Sequence, residues 1–162
     1  MSSTSTNKQP LLVDRVLHVV TDLAGSTVEY QAGVTIGGSN NASLIVDCTT
    51  NDGAIIEEIY SIARTVTAAY KINLYLSSAA DYLRQQQSVF IGSFLGSTTE
   101  GTKTTVSDMP KILAPMPQTG SDAQYRALYL PRGKALWAAV EQAAANDQAA
   151  DAPILGVQGG FY

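Results

Sequence analysis

Between Tyr70 and Ser77 apolar and polar side chains alternate one for one. Ile72, Leu74 and Leu76 fall on one side and Lys71, Asn73 and Tyr75 on the other, the period of two expected of a strand over a half-buried sheet. This alternation predicts an outward-facing Tyr75. Residues 13–20 also predict a strand, with Val16, His18 and Val20 on a common face. Residues 27–36, rich in β-branched side chains, predict a third, closed by the turn-forming run Gly37-Gly38-Ser39-Asn40-Asn41. Ser43 to Cys48 is a short strand ended by Thr49-Thr50-Asn51-Asp52-Gly53. Residues 88–95 are apolar on both faces (Val89, Phe90, Ile91, Phe94, Leu95), as a strand buried between layers would be. Residues 127–130 form a strand halted by Pro131-Arg132-Gly133, a turn with proline in its favoured place, and residues 154–162 a last strand.

Two segments carry conflicting patterns. Over residues 55–66, Ile55, Ile59, Ile62 and Val66 would make a helical stripe, with Glu57, Glu58, Ser61 and Arg64 facing water. As a strand, Ile56, Tyr60 and Ile62 alternate with Glu57, Ser61 and Ala63, and Glu58 breaks the pattern. The strand is preferred because the run is β-branched and stands just before a clear strand, which suggests a hairpin. Over residues 134–150 alanine richness argues for helix and the preceding turn for strand; a strand to about residue 140 and a helical turn after it is the expectation. Residues 79–87 suggest a short helical turn or loop carrying Asp81, Tyr82, Leu83 and Arg84. Residues 96–120 are rich in Thr, Gly and Pro and predict a long surface excursion, the kind of loop on which binding often sits. Residues 1–10 are polar, end in Pro10, and form an expected flexible arm ahead of a domain spanning residues 11–162. The fold expected is all-β: one jelly-roll-like β-sandwich domain.

Composition narrows the function classes. The 162 residues, 45% hydrophobic, suffice for one domain with a real core. A net charge of −4 with 15% charged residues argues against a nucleic-acid binder, which needs clustered Lys and Arg. The single cysteine, Cys48, leaves no disulfide framework or cysteine metal cluster, and the polar start lacks the apolar stretch of a signal peptide. No run approaches the ~18 apolar residues of a membrane span. The expectation is a soluble protein with no membrane partner, made in a cytoplasm, with Cys48 reduced and buried.

Candidate chemistry is sparse. Gly96-Ser97-Thr98-Thr99-Glu100-Gly101-Thr102-Lys103-Thr104 follows a strand like a phosphate-binding loop, but Thr102 separates the second glycine from the lysine and residues 104–110 make a poor helix. His18, the one histidine, lies in an apolar stretch, where a structural role outweighs a catalytic one. A Cys48–His18 dyad stays open because spatial neighbours need not be sequence neighbours, though nothing local lowers the thiol pKa. The carboxylates Asp14, Asp22, Asp47, Asp52, Glu57, Glu58, Asp81 and Asp108 are scattered, without calcium-loop spacing. No catalytic, cofactor or metal residue is assigned and no enzyme is expected. Of the eight tyrosines, Tyr60, Tyr70, Tyr75, Tyr82, Tyr125 and Tyr129 lie in or beside strands, where packing is the simple reading. For Tyr75 a packing role and a sugar-stacking or protein-contact role are both open. The terminal pair Phe161-Tyr162 needs cover, from its own core or from a neighbour.

Taken together, Tyr70-Lys71-Ile72-Asn73-Leu74-Tyr75-Leu76, Val89-Phe90-Ile91, Leu128-Tyr129-Leu130-Pro131-Arg132-Gly133-Lys134-Ala135-Leu136-Trp137 and Gly159-Gly160-Phe161 resemble the small β-sandwich structural proteins of tailed bacteriophages, most of all head decoration (cement) proteins. The resemblance spans residues 40–162 as a texture of strands and turns and transfers no site residue. It implies a virion protein that binds the capsid exterior, clamps neighbouring major capsid protein subunits, and is present in many symmetric copies, with a trimer favoured. The partner-binding residues expected on that reading are Leu11 and Leu12 behind the arm, Tyr75, and Phe161 and Tyr162. The alternative is a carbohydrate-binding or receptor-binding β-sandwich module of a phage tail.

Overall fold

The computed structural model describes residues 15–23, 42–50, 52–64, 70–78, 80, 88–106, 114–115, 126–141 and 152–162. Every regular element among them is a strand: β1 (Arg15–Asp22), β2 (Ser43–Cys48), β3 (Ala54–Ile62), β4 (Lys71–Ser77), β5 (Ser88–Leu95), β6 (Lys103–Thr105), β7 (Ala114–Pro115), β8 (Arg126–Leu130), β9 (Lys134–Glu141) and β10 (Ile154–Phe161). The expected strand over residues 27–36, the arm over 1–10, the segment 81–87 and the helical turn beyond residue 141 lie outside the described residues.

All pairings are antiparallel, and the principal ones are nested: β1 with β10, β2 with β9, β3 with β8, β4 with β5. Two more contacts, β10 with β3 and β9 with β4, roll this long ribbon into two sheets. The six-stranded sheet runs β1-β10-β3-β8-β7, with β6 beside β8 on β3, and the four-stranded sheet runs β2-β9-β4-β5. First with last, second with next to last, is the connectivity of a jelly roll, so the expected fold class is what is observed. The expected hairpin from residues 55–66 into 70–77 is not: β3 and β4 belong to different sheets, as do β8 and β9. At the corner between β8 and β9, Lys134 N donates to Pro131 O at 3.2 Å, and Gly133 supplies the left-handed corner at φ 83°. Pro131 is therefore the first residue of that turn, one place before its expected position.

The inner faces make the main core. Leu17 from β1, Leu155 and Val157 from β10, and Ile56, Ile59 and Ala63 from β3 and its end meet Ile45, Val46 and Cys48 from β2, Ile72 and Leu74 from β4, and Leu136, Ala138 and Val140 from β9. Each fully buried aliphatic side chain contributes about 1.5–3 kcal/mol relative to exposure. The conflict over residues 55–66 resolves as a strand with a bulge. Gln158 faces Glu58 and Gly159 faces Ile56, which leaves Glu57 as the extra residue. Before it Ala54 and Ile56 point inward; after it Ile59, Ser61 and Ala63 do. One inserted residue shifts the period by one, which is why Glu58 broke the sequence pattern.

Two expectations about faces are overturned. The strand at residues 88–95 is not sandwiched between layers: β5 ends the four-stranded sheet, and Val89 and Leu95 are exposed. On β4, Tyr75 does point away from the main core, but that side is covered too. It is 1% exposed and forms a second apolar cluster with Ala135, Trp137 and Ala139, flanked by Ala42, Leu44 and Phe90. Both faces of β9 are thereby buried, which explains its unbroken run Ala135-Leu136-Trp137-Ala138-Ala139-Val140.

Glycines in β10 let large groups lie flat on the central strand. A Cβ at Gly156 would fall inside the Tyr60 ring, and one at Gly159 would strike the Ile55 carbonyl. Gly156→Ala is expected to destabilise the fold by about 1–3 kcal/mol in chemical denaturation. Adding Tyr60→Ala should recover part of that loss, because the collision then has no second partner.

Candidate functional site

Among the described residues, the outer face of the six-stranded sheet carries three exposed large apolar side chains, Val16, Val20 and Tyr129; the other two, Val89 and Leu95, lie on the edge strand β5 of the other sheet. Successive registers place three rows across the outer face: Val16, Gly160, Ile55 and Tyr129; then His18, Gln158 and Glu58; then Val20, Gly156, Tyr60 and Thr105. Val16 is 82% exposed, Val20 56% and Tyr129 49%. Because β10 contributes glycine at two of these outward positions, the middle of the face is shallow and its apolar side chains stand at the two margins.

The rim is ordered by aromatic contacts. The Arg15 guanidinium sits 5.0 Å from the Phe161 ring centroid, close enough for cation–π attraction. Tyr162 stacks on Tyr129 with centroids 5.1 Å apart and planes 25° apart. Its backbone N donates to Gly53 O at 3.1 Å, and a Cβ at Gly53 would enter its ring. Burial, then a hydrogen bond to Tyr129, hold the Tyr162 phenol above its ordinary range. Phe161 packs against the main core. Phe161 and Tyr162 are thus half-buried against their own chain, and Tyr129 is the exposed member of the stack.

One charged cluster interrupts the face. Lys103 Nζ lies 2.5 Å from Glu58 Oε1 and 4.4 Å over the Tyr60 ring, and Thr105 donates to the same carboxylate oxygen at 3.3 Å. These contacts hold β6 on β3. The Tyr60 hydroxyl stands 3.4 Å from His18 Nε2. Among the described residues no group of three or more His, Cys, Asp or Glu side chains comes together to hold a metal ion.

The structure separates several sequence candidates. His18 shares the outer face with Val16 and Val20, as expected, whereas Cys48 is fully buried on the inner face of the other sheet. The six-stranded sheet and the core lie between them, so they form no dyad. Burial, then the Asp47 carboxylate, push the Cys48 thiol up to about 11. The glycine-rich run after β5 is a turn: Thr102 N donates to Thr99 O at 3.1 Å, Gly101 sits at φ 73°, and a strand rather than a helix follows. Tyr75 is inside the molecule. Leu11, Leu12, Tyr82 and Tyr125 lie outside the described residues. The feature missed in the sequence was Tyr129. Its neighbours Leu128 and Leu130 are buried, and that alternation alone would have turned it outward.

No protein-family model matches the sequence, and no curated protein does either. Among solved structures, a chain from the crystal structure of the T13 IBDV viral particle superposes with a TM-score of 0.30 at 15% identity, covering 98% of this chain and 36% of that one. This chain therefore spans about a third of the length of that relative. A superposition this loose carries no functional argument.

Two measurements check the site geometry. Tyr75→Ala should destabilise the protein by about 3–5 kcal/mol, as loss of a large buried ring does, while Tyr129→Ala should change stability by about 1 kcal/mol or less. The Cys48 thiol should resist alkylation until the protein unfolds. Since its folded pKa is raised, its contribution to stability is complete below pH 9.0, the value for an unperturbed thiol, and is lost as pH rises toward about 11. Cys48→Ala should flatten the stability profile across that interval.

Proposed function

We propose that this chain is a non-enzymatic structural protein of a virus particle, of the bacteriophage decoration type, binding the exterior of a capsid through the outer face of its six-stranded sheet. Two features support the reading. Jelly rolls are a common building block of viral shells. The observation that carries it is the row in which exposed Val16 and Tyr129 flank half-buried Ile55 over a glycine floor, a flat and weakly charged surface suited to a broad protein contact. On a shell the major capsid protein is the partner, and repetition of many copies supplies avidity that a single modest contact lacks.

Jelly rolls also serve as lectins. The exposed Tyr129, held rigid by Tyr162, favours a carbohydrate site as the second reading. Tyr75, being buried, does not contribute to it.

Quantitative mass spectrometry of purified particles separates the two. Copy numbers comparable to the shell subunit, with binding to assembled shells weakened by Tyr129→Asp, are the expected result. A dozen copies together with glycan binding abolished by Tyr129→Ala would instead support the tail module, and absence from particles would overturn both virion readings.

A further inference from the structure

Sheet edges present unpaired backbone donors and acceptors, and proteins that stay apart blunt them with bulges, lysine, proline or short strands. Three of the edges here are blunted. β5 carries an extra residue, Ile91, where the register shifts against β4, and β2 carries Ile45 where it shifts against β9. At the far side of the six-stranded sheet, β6 and β7 are three and two residues long. β1 is different. It runs eight residues, pairs with β10 without a register shift from Arg15 to Asp22, and contains no lysine or proline. Among the described residues it has no strand on its other side. Its charges stand at the two ends, leaving Val16, Leu17, His18, Val19, Val20 and Thr21 uncharged or titratable only at His18.

The strand is also nearly palindromic. Two copies of β1 laid antiparallel about a twofold axis perpendicular to the sheet must match residues of like face. With the axis at His18, Val16 faces Val20 of the partner and Leu17 faces the partner's Val19, so that every apolar side chain meets another. Moving the axis one residue to Val19 sets Val16 opposite the partner's Asp22, and an axis between residues puts outward side chains against inward ones. An axis at Leu17 sets Val16 opposite the partner's His18 and Val19 opposite its Arg15, so only the axis at His18 pairs apolar with apolar on both faces.

We infer that β1 is a homotypic docking edge: two copies of this chain pair β1 to β1 antiparallel about His18, joining their six-stranded sheets into one continuous sheet. The docking edge does not require the proposed virion role, although Val16 belongs both to this edge and to the outer face. It places Val16 and Val20, otherwise the most conspicuous exposed aliphatics of that sheet, in cross-strand pairs and covers the half-buried Val19.

Sedimentation of the full chain should show a concentration-dependent dimer. The double variant Val16→Lys/Val20→Lys should weaken it by about tenfold or more, because two symmetric apolar pairs become like-charge pairs. Mixing that variant with Val16→Glu/Val20→Glu should restore a heterodimer. Directly opposed residues on antiparallel strands stand about 4.5–5.5 Å apart at Cα, within disulfide range. His18→Cys should therefore cross-link to itself under mild oxidation. Val16→Cys should not, because its copies would be about 13 Å apart along the strands, and the wild type should not, because Cys48 is buried. A monomer at every concentration, an oligomer indifferent to the lysine substitutions, failure of His18→Cys to cross-link, or equal cross-linking of Val16→Cys would each overturn the inference. If the lysine variant does not fold, the cysteine pair still decides.

Discussion

Among the described strands β10 lies between β1 and β3, and the six-stranded sheet is assembled only when it does. β10 pairs with β1 over eight residues and with β3 on its other side, so its inward Leu155 and Val157 sit in the middle of the core. A strand placed so must be narrow where its neighbour β3 crowds it. Outward-facing Gly156 receives the Tyr60 ring and Gly159, on the other face, the Ile55 backbone, and no larger residue fits without displacing them. At Gly156 that packing requirement keeps the exposed surface shallow.

The two sheets are not equivalent. In the four-stranded sheet the strand β9 is apolar and covered on both faces, with Tyr75 and Trp137 in a second cluster behind the main core, while β5 at the edge exposes Val89 and Leu95. In the six-stranded sheet Val16, Val20 and Tyr129 stay exposed on the outer face, which also carries the charged cluster of Lys103 and Glu58. The ion-paired cluster on that sheet has a structural role, since Lys103 and Glu58 hold the short β6 against β3. The same asymmetry extends to the edges, where bulges or brevity interrupt all but β1.

The buried thiol and phenols fit this picture as packing groups. Cys48 lies within the main core and Tyr70 lies beneath Gly96, with its hydroxyl 3.0 Å from Ser61 Oγ. Burial raises the Tyr70 pKa, and the Ser61 hydrogen bond offsets part of that rise. Both groups are neutral at physiological pH even at their ordinary pKa values, and burial extends that neutral range upward, the protonation state a core tolerates without an ionic partner.

The sequence by itself determined the strands and the class of the fold, because side-chain alternation and turn residues are local quantities. It placed β2 and β5 at their observed bounds, preferred strand over helix at β3 and β9, and put His18 on one face with Val16 and Val20. Tertiary structure decided everything that depends on distant partners. Whether Tyr75 met solvent or a second apolar layer could not be read from a period that gives face but not cover. The bulge at Glu57 was invisible because only the β10 register defines it. Apparent hairpins at β3–β4 and β8–β9 became crossings between sheets, since each strand's partner lies far along the chain. The open face and the unblunted edge emerge at the same level: exposure is a property of what the folded chain leaves uncovered, and no residue carries that information alone.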